Sequence, residues 1–89
     1  MIEREVEIVN RLGLHARAAA KVVHLAGRFG CDVKFVKDGD EVDAKSILGL
    51  LMLAAAQGER VHLRCNGADE EQAIQALTEL IADRFGEDS

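Results

Sequence analysis

The sequence predicts an α+β fold: an open-faced, two-layer sandwich with three helices on one face of a four-stranded antiparallel sheet. Three observations carry that expectation. Hydrophobic spacing switches between a period of two and a helical period in the order β-α-β-β-α-β-α. Each helical segment has an apolar face, which suits a single covering layer. The first connection is a helical crossover, so strands 1 and 2 need a gap between them. Strand 4 can fill it, giving the sheet order 1-4-2-3. The chain of 89 residues has no linker, internal repeat or low-complexity stretch, and residues 1–89 read as one domain. With 48% hydrophobic residues it should fold without a metal or disulfide.

Each element follows from local pattern. "IEREVEIV" (2–9) alternates, with Ile2, Val6 and Ile8 on one side and Glu3, Glu5 and Glu7 on the other, as in a half-buried strand. Leu12-Gly13-Leu14 turns the chain into a helix over 16–28. Its apolar stripe is Ala19, Val22, Val23 and Ala26, and Gly30 suits the position past its end. "CDVKFVK" (31–37) is a strand with Cys31, Val33 and Phe35 inward. Asp38-Gly39 is a hairpin signal leading to a short strand at 40–43. "SILGLLMLA" (46–54) is a helix with Ser46 as N-cap, ended by Gln57-Gly58. "RVHLRC" (60–65) is a strand with Val61, Leu63 and Cys65 inward. Asn66-Gly67 leads to a helix over 69–85, with Asp69 and Gln72 in capping-box spacing. Its stripe is Ala73, Ile74, Leu77, Leu80, Ile81 and Phe85.

Charge narrows the function. The net charge is −5, yet residues 11–28 carry Arg11, Arg17, Lys21 and Arg28 and no acid, while residues 67–89 are strongly acidic. A basic patch on an acidic protein suits a small anion or an acidic protein partner. It disfavours nucleic acid, which calls for a basic domain and often aromatic stacking surfaces. No apolar run has the length of a membrane span, and the first residues lack a signal-peptide core, so a cytoplasmic protein without membrane insertion is expected. Cys31 and Cys65 have no metal spacing and are expected to be buried thiols. No metal or cofactor is expected.

The most informative stretch is "NRLGLHARAAAK" (10–21). His15 stands where a helix begins, with Ala16 and Arg17 in the first turn. The first amides of a helix lack internal partners and carry partial positive charge, so they cradle anions. That polarity favours the neutral, nucleophilic ring, and Arg17 adds planar donors suited to phosphate. Against this, a histidine at a helix start is commonly just a polar loop residue. His24 and His62 read as solvated surface residues. In "KSILGLLMLAAAQG" (45–58), apolar residues surround the whole helix, yet a domain this small can cover only one side. The uncovered side, including Ile47, Leu48, Leu51 and Met52, would be a docking patch.

"GLHARAAAKVV" and "KSILGLLMLAAAQG", in this order and spacing, resemble the HPr family, the histidine-containing phosphocarriers of the bacterial phosphotransferase system. The resemblance spans the whole chain and implies an HPr-like sandwich. It implies that His15 accepts a phosphoryl group from phosphorylated enzyme I on Nδ1 and passes it to enzyme IIA domains. Arg17 would assist the transfer, and Ser46 matches a serine that an HPr kinase/phosphorylase modifies in some bacteria. Arg17, Lys21, His24 and the α-helical apolar patch would dock partners, and a monomer suits such a shuttle. The opening "EVEIVNRLGLHAR" also resembles NPr, the carrier of the nitrogen-related regulatory branch.

Two other classes compete. An acylphosphatase-like hydrolase could use Asn10, Arg11 and Arg17, but the glycine-rich cradle expected after the first strand is absent. A pure interaction module would rely on the apolar helix and leave His15 incidental. The sequence departs from the HPr pattern at Ala18, where proline is usual. Proline suits a first helical turn and lowers the entropy of the unfolded chain. Ala18→Pro is therefore expected to raise the melting temperature modestly, as thermal denaturation followed by circular dichroism will show.

Overall fold

A computed structural model describes residues 1–89. The elements are β1 (Ile2–Glu7), α1 (Ala16–Ala26), β2 (Asp32–Lys37), β3 (Asp40–Asp43), α2 (Ile47–Leu53), β4 (Arg60–Asn66) and α3 (Glu70–Ala82), then a 3₁₀ turn at Arg84–Gly86. The sheet order is β1-β4-β2-β3, with every pair antiparallel, as the crossover argument required. β4 fills the gap left by the α1 crossover, pairing Val61 with Val6 and Leu63 with Phe35.

Alternation separates the two sides of the sheet. Val33, Phe35, Val61, Leu63 and Cys65 are buried beneath the helices, in one core with Ala18, Ala19, Val22, Leu50, Ile74, Leu77 and Ile81. The outer side is charged. Glu3, Glu5 and Glu7 lie directly across from Arg64, His62 and Arg60. Arg64 pairs with Glu3 at 3.1 Å and Glu41 at 2.7 Å, and Arg60 with Glu5 at 3.1 Å. Such exposed pairs each contribute about 0–1 kcal/mol, so their main effect is to keep that side solvated.

Turn chemistry sets the boundaries. Asp38 and Gly39 both adopt positive φ, 51° and 83°, which gives the hairpin its tight reversal. Ser46 caps α2, its Oγ accepting from the Gly49 N–H at 3.2 Å. Cys31 and Cys65 are buried free thiols, and burial followed by the Asp69 carboxylate pushes Cys31 up to about 11. The pair lies diagonally across β2 and β4, since Val33 is the residue opposite Cys65.

Three expectations are corrected. Helix α1 ends at Ala26, capped by Gly27, whose N–H bonds to the Val23 carbonyl, and Gly30 is not its left-handed stop. Asp69 does not form a capping box with Gln72. Its carboxylate instead accepts from the Gly30 and Cys31 amides at 2.9 and 3.0 Å, tying the α1–β2 loop to the start of α3. Two such amide bonds satisfy groups 39 and 38 residues away, a contact that local spacing cannot reveal. Finally, Phe85 does not continue the α3 stripe. The helix ends at Ala82, and Arg84 and Phe85 both take positive φ, 56° and 55°. Each left-handed residue costs roughly 1–2 kcal/mol. Complete burial of the Phe85 ring contributes roughly 1.5–3 kcal/mol, enough to offset much of that strain.

Helix α2 closes on another left-handed residue, Ala54, with φ 54° and ψ 42°. Ala54 is exposed and its methyl packs into nothing in the core. Ala54→Gly removes the Cβ penalty at a position glycine favours. The expected outcome is a gain of about 0.5 kcal/mol in urea unfolding.

Candidate functional site

The site begins with Asn10, the one fully buried polar residue. Its Nδ2 donates to the Gly13 carbonyl at 2.8 Å, and its own carbonyl accepts from the Gly13 N–H at 3.2 Å. Gly13 has φ 68°, and a Cβ there would stand 2.6 Å from the Ala55 carbonyl oxygen. Only glycine fits that approach. The next residue, Leu14, is buried and its N–H bonds to the same Ala55 oxygen at 2.9 Å.

The chain so anchored delivers His15 to the N-cap of α1 with extended backbone, φ −79° and ψ 179°. Its carbonyl accepts from the Ala19 N–H at 2.8 Å, but its side chain does not cap the helix. No protein group accepts from the amides of Ala16, Arg17 and Ala18. The expected anion cradle is therefore open.

The imidazole is held from the other side. His15 Nε2 bonds to Glu87 Oε2, and the second carboxylate oxygen accepts from Asn10 Nδ2 at 2.9 Å. Nδ1 has no hydrogen-bond partner. The Lys21 ammonium donates to the Phe85 carbonyl, fastening the turn that brings Glu87 across. An open cleft of about 440 Å³ is lined by Leu12, His15, Arg17, Glu87 and Ser89. Arg17 is exposed and makes no ion pair. The Asn10 hydrogen bond, with the His15 bond and charge and the Lys21 charge behind it, outweighs partial burial and holds the Glu87 carboxyl below the usual range.

His15 and Arg17 thus share one cleft, and the unpartnered amide of Ala16 lies between them in the chain. Lys21 serves the C-terminal turn, whereas His24 lines a neighbouring groove with Arg17, Leu25, Arg28 and Leu80. Helix α2 packs against α1 and buries Leu50 and Leu53. It leaves Ile47, Leu48, Leu51 and Met52 exposed by 43, 68, 38 and 75%. Ser46 stands at the head of that helix. His62 lies on the outer side of the sheet near Glu5. No cluster of three metal-ligating side chains exists.

Sequence reasoning missed Glu87 and the role of Asn10. Glu87 was one acid in an acidic tail, and Asn10 drew notice only for a hydrolase reading. The one available signal was the glycine of "RFGED", which interrupts the helical pattern just before Glu87.

Residues 2–83 match the family model described as PTS HPr component phosphorylation site. The chain belongs to the HPr family. It is 54% identical to the phosphocarrier protein HPr of Cupriavidus necator, over 98% of each chain. It is 41% identical to the phosphocarrier protein NPr of Shewanella violacea, over 99% of this chain and 97% of that one. The crystal structure of HPr-C-His from Thermoanaerobacter tengcongensis superposes over the whole of both chains with a TM-score of 0.96, at 46% identity. An HPr is a phosphocarrier of the phosphotransferase system and not a catalyst, which sets the hydrolase reading aside.

The Glu87 contacts make the stability of the chain depend on pH. A carboxyl that titrates lower in the folded chain stabilises the fold above the unfolded value, and that stabilisation fades as pH falls through the folded one. Glu87→Gln is expected to be less stable than the parent at neutral pH and to converge with it in acid. Urea midpoints of both proteins, followed from neutral pH downward, check this.

Proposed function

We propose that His15 is the phosphoryl acceptor, taking the group on Nδ1 from phosphorylated enzyme I and passing it to enzyme IIA domains. The single observation that carries this reading is the position of His15: at an open helix N-terminus, with Nε2 engaged and Nδ1 free. The unpartnered amides of Ala16 and Arg17 would receive phosphoryl oxygens as the new bond forms. Arg17, with no carboxylate to occupy it, supplies a mobile fork of donors to the same oxygens. The family's chemistry needs no cofactor on the carrier.

Partners meet one face. The exposed Ile47, Leu48, Leu51 and Met52 would form its apolar part, and Arg17, Lys21 and His24 of the neighbouring α1 its polar part. Ser46 heads the apolar helix, so a phosphate placed there by an HPr kinase/phosphorylase would leave the helix intact while adding repulsion toward acidic partners. No helix is long and apolar enough to cross a membrane, and a cytoplasmic monomer suits a shuttle that must meet successive partners. The higher identity to HPr than to NPr favours the general carrier over the nitrogen-related branch.

Incubation with phosphoenolpyruvate, Mg²⁺ and enzyme I from the same organism, followed by intact mass at alkaline pH, tests the reading. One added phosphoryl group is expected, labile to mild acid and absent from His15→Ala. A folded protein that gains no mass would instead favour the interaction-module alternative.

A further inference from the structure

We propose that Glu87 is a positioning residue for phosphoryl transfer: it holds the His15 ring through Nε2–H and so presents the Nδ1 lone pair as the nucleophile. This deepens the function proposed above and rests on His15 being the acceptor.

The geometry supplies the reason. An ionised carboxylate only accepts hydrogen bonds, so its contact with Nε2 requires a proton on that nitrogen. In the neutral ring the lone pair then lies on Nδ1. The carboxylate itself is well held. Asn10, fully buried, donates to its second oxygen while also donating to the Gly13 carbonyl of the loop that carries His15. One asparagine thereby fixes acid and ring in a common frame. The approach of Glu87 is set by the Arg84–Gly86 turn, where Phe85 is buried as an anchor and Lys21 binds its carbonyl. Two successive left-handed residues are needed to aim a side chain 72 positions downstream onto the ring.

The arrangement also suits the reaction step. The Nδ1 lone pair forms the nitrogen–phosphorus bond as the donor's bond to phosphorus breaks, with that electron pair leaving on the donor. The proton on Nε2 stays in place. Positive charge develops on the ring, and the Glu87 carboxylate faces it at Nε2, as a triad carboxylate faces its imidazolium. Phosphoryl oxygens gather at the opposite nitrogen, beside the open amides and Arg17. Acid and phosphate therefore act on different edges of the ring.

Glu87→Gln tests this, since the residue lies outside the core. Long-range proton–nitrogen correlation spectra of the histidine rings at alkaline pH read the tautomer directly, with His24 and His62 as internal controls for an intact fold. The parent His15 is expected as the Nε2–H tautomer and the variant as a mixture. Phosphoryl acceptance from enzyme I should fall on the order of tenfold in kcat/KM, the usual scale for losing a carboxylate that orients a histidine. An unchanged tautomer or an unchanged acceptance rate in Glu87→Gln would overturn the proposal. Should His15→Ala still accept phosphate, the acceptor assignment itself fails, whereas the tautomer result continues to report on Glu87 alone.

Discussion

The bond from the Leu14 N–H to the Ala55 carbonyl is the contact around which the functional half of the molecule is arranged. A backbone hydrogen bond contributes only about 0.5–1.5 kcal/mol net, and leaving its buried groups unpaired costs about 1–3 kcal/mol. Its geometric effect is larger than either figure. It joins the loop before α1 to the segment after α2, so the open start of one helix and the exposed side of the other are fixed in relation to each other. Gly13 makes the approach possible because a side chain there would strike the same carbonyl. The glycine in "GLHAR" thus serves packing between two loops, while the histidine two positions later is left partly exposed, as its proposed role requires.

That placement resolves the charge asymmetry of the chain. The basic segment forms α1, and the acidic C-terminal segment packs alongside it. Their facing charges are not simply paired. Lys21 binds a backbone carbonyl of the C-terminal turn, Glu87 binds Asn10 and His15, and Arg17 is left free. Had Glu87 reached Arg17 instead, the cation best suited to phosphate would have been neutralised before any phosphate arrived. The buried amide of Asn10 prevents this by capturing the carboxylate at a defined point.

Much of this was legible from sequence, for reasons that differ by element. Period-two alternation identified β1, β2 and β4 because one side of each faces apolar helices and the other faces water. His15, Arg17 and Ser46 could be placed because helix starts have a local signature. The Asp38-Gly39 reversal was equally local. What escaped was long in range or paid no heed to local preference. Asp69 matched a capping pattern, yet the amides it serves belong to residues 30 and 31. Phe85 kept helical spacing while its backbone left the helix, because burying the ring compensates for positive φ at a residue that normally avoids it. Glu87 acquires meaning only once that unexpected turn is known.

The exposure of the site fits a carrier better than it would fit an enzyme. His15 retains 28% of its side-chain exposure, and Arg17 lies in water. Charge interactions in so polar a setting are individually weak, about 0–1 kcal/mol for an exposed ion pair. A buried cage of cations would hold a phosphoryl group far more strongly and make its departure slow. With His15 as the proposed acceptor, weak contacts from the exposed Arg17 and the first amides of α1 would lower the cost of accepting charge without trapping it. The Glu87 carboxylate, bound at Nε2, would add its attraction at the ring's far edge and steady a charged imidazole without gripping the phosphate. On the proposed assignment the fold would supply rigidity to the nitrogen and freedom to the oxygens, which is the division a reversible shuttle requires.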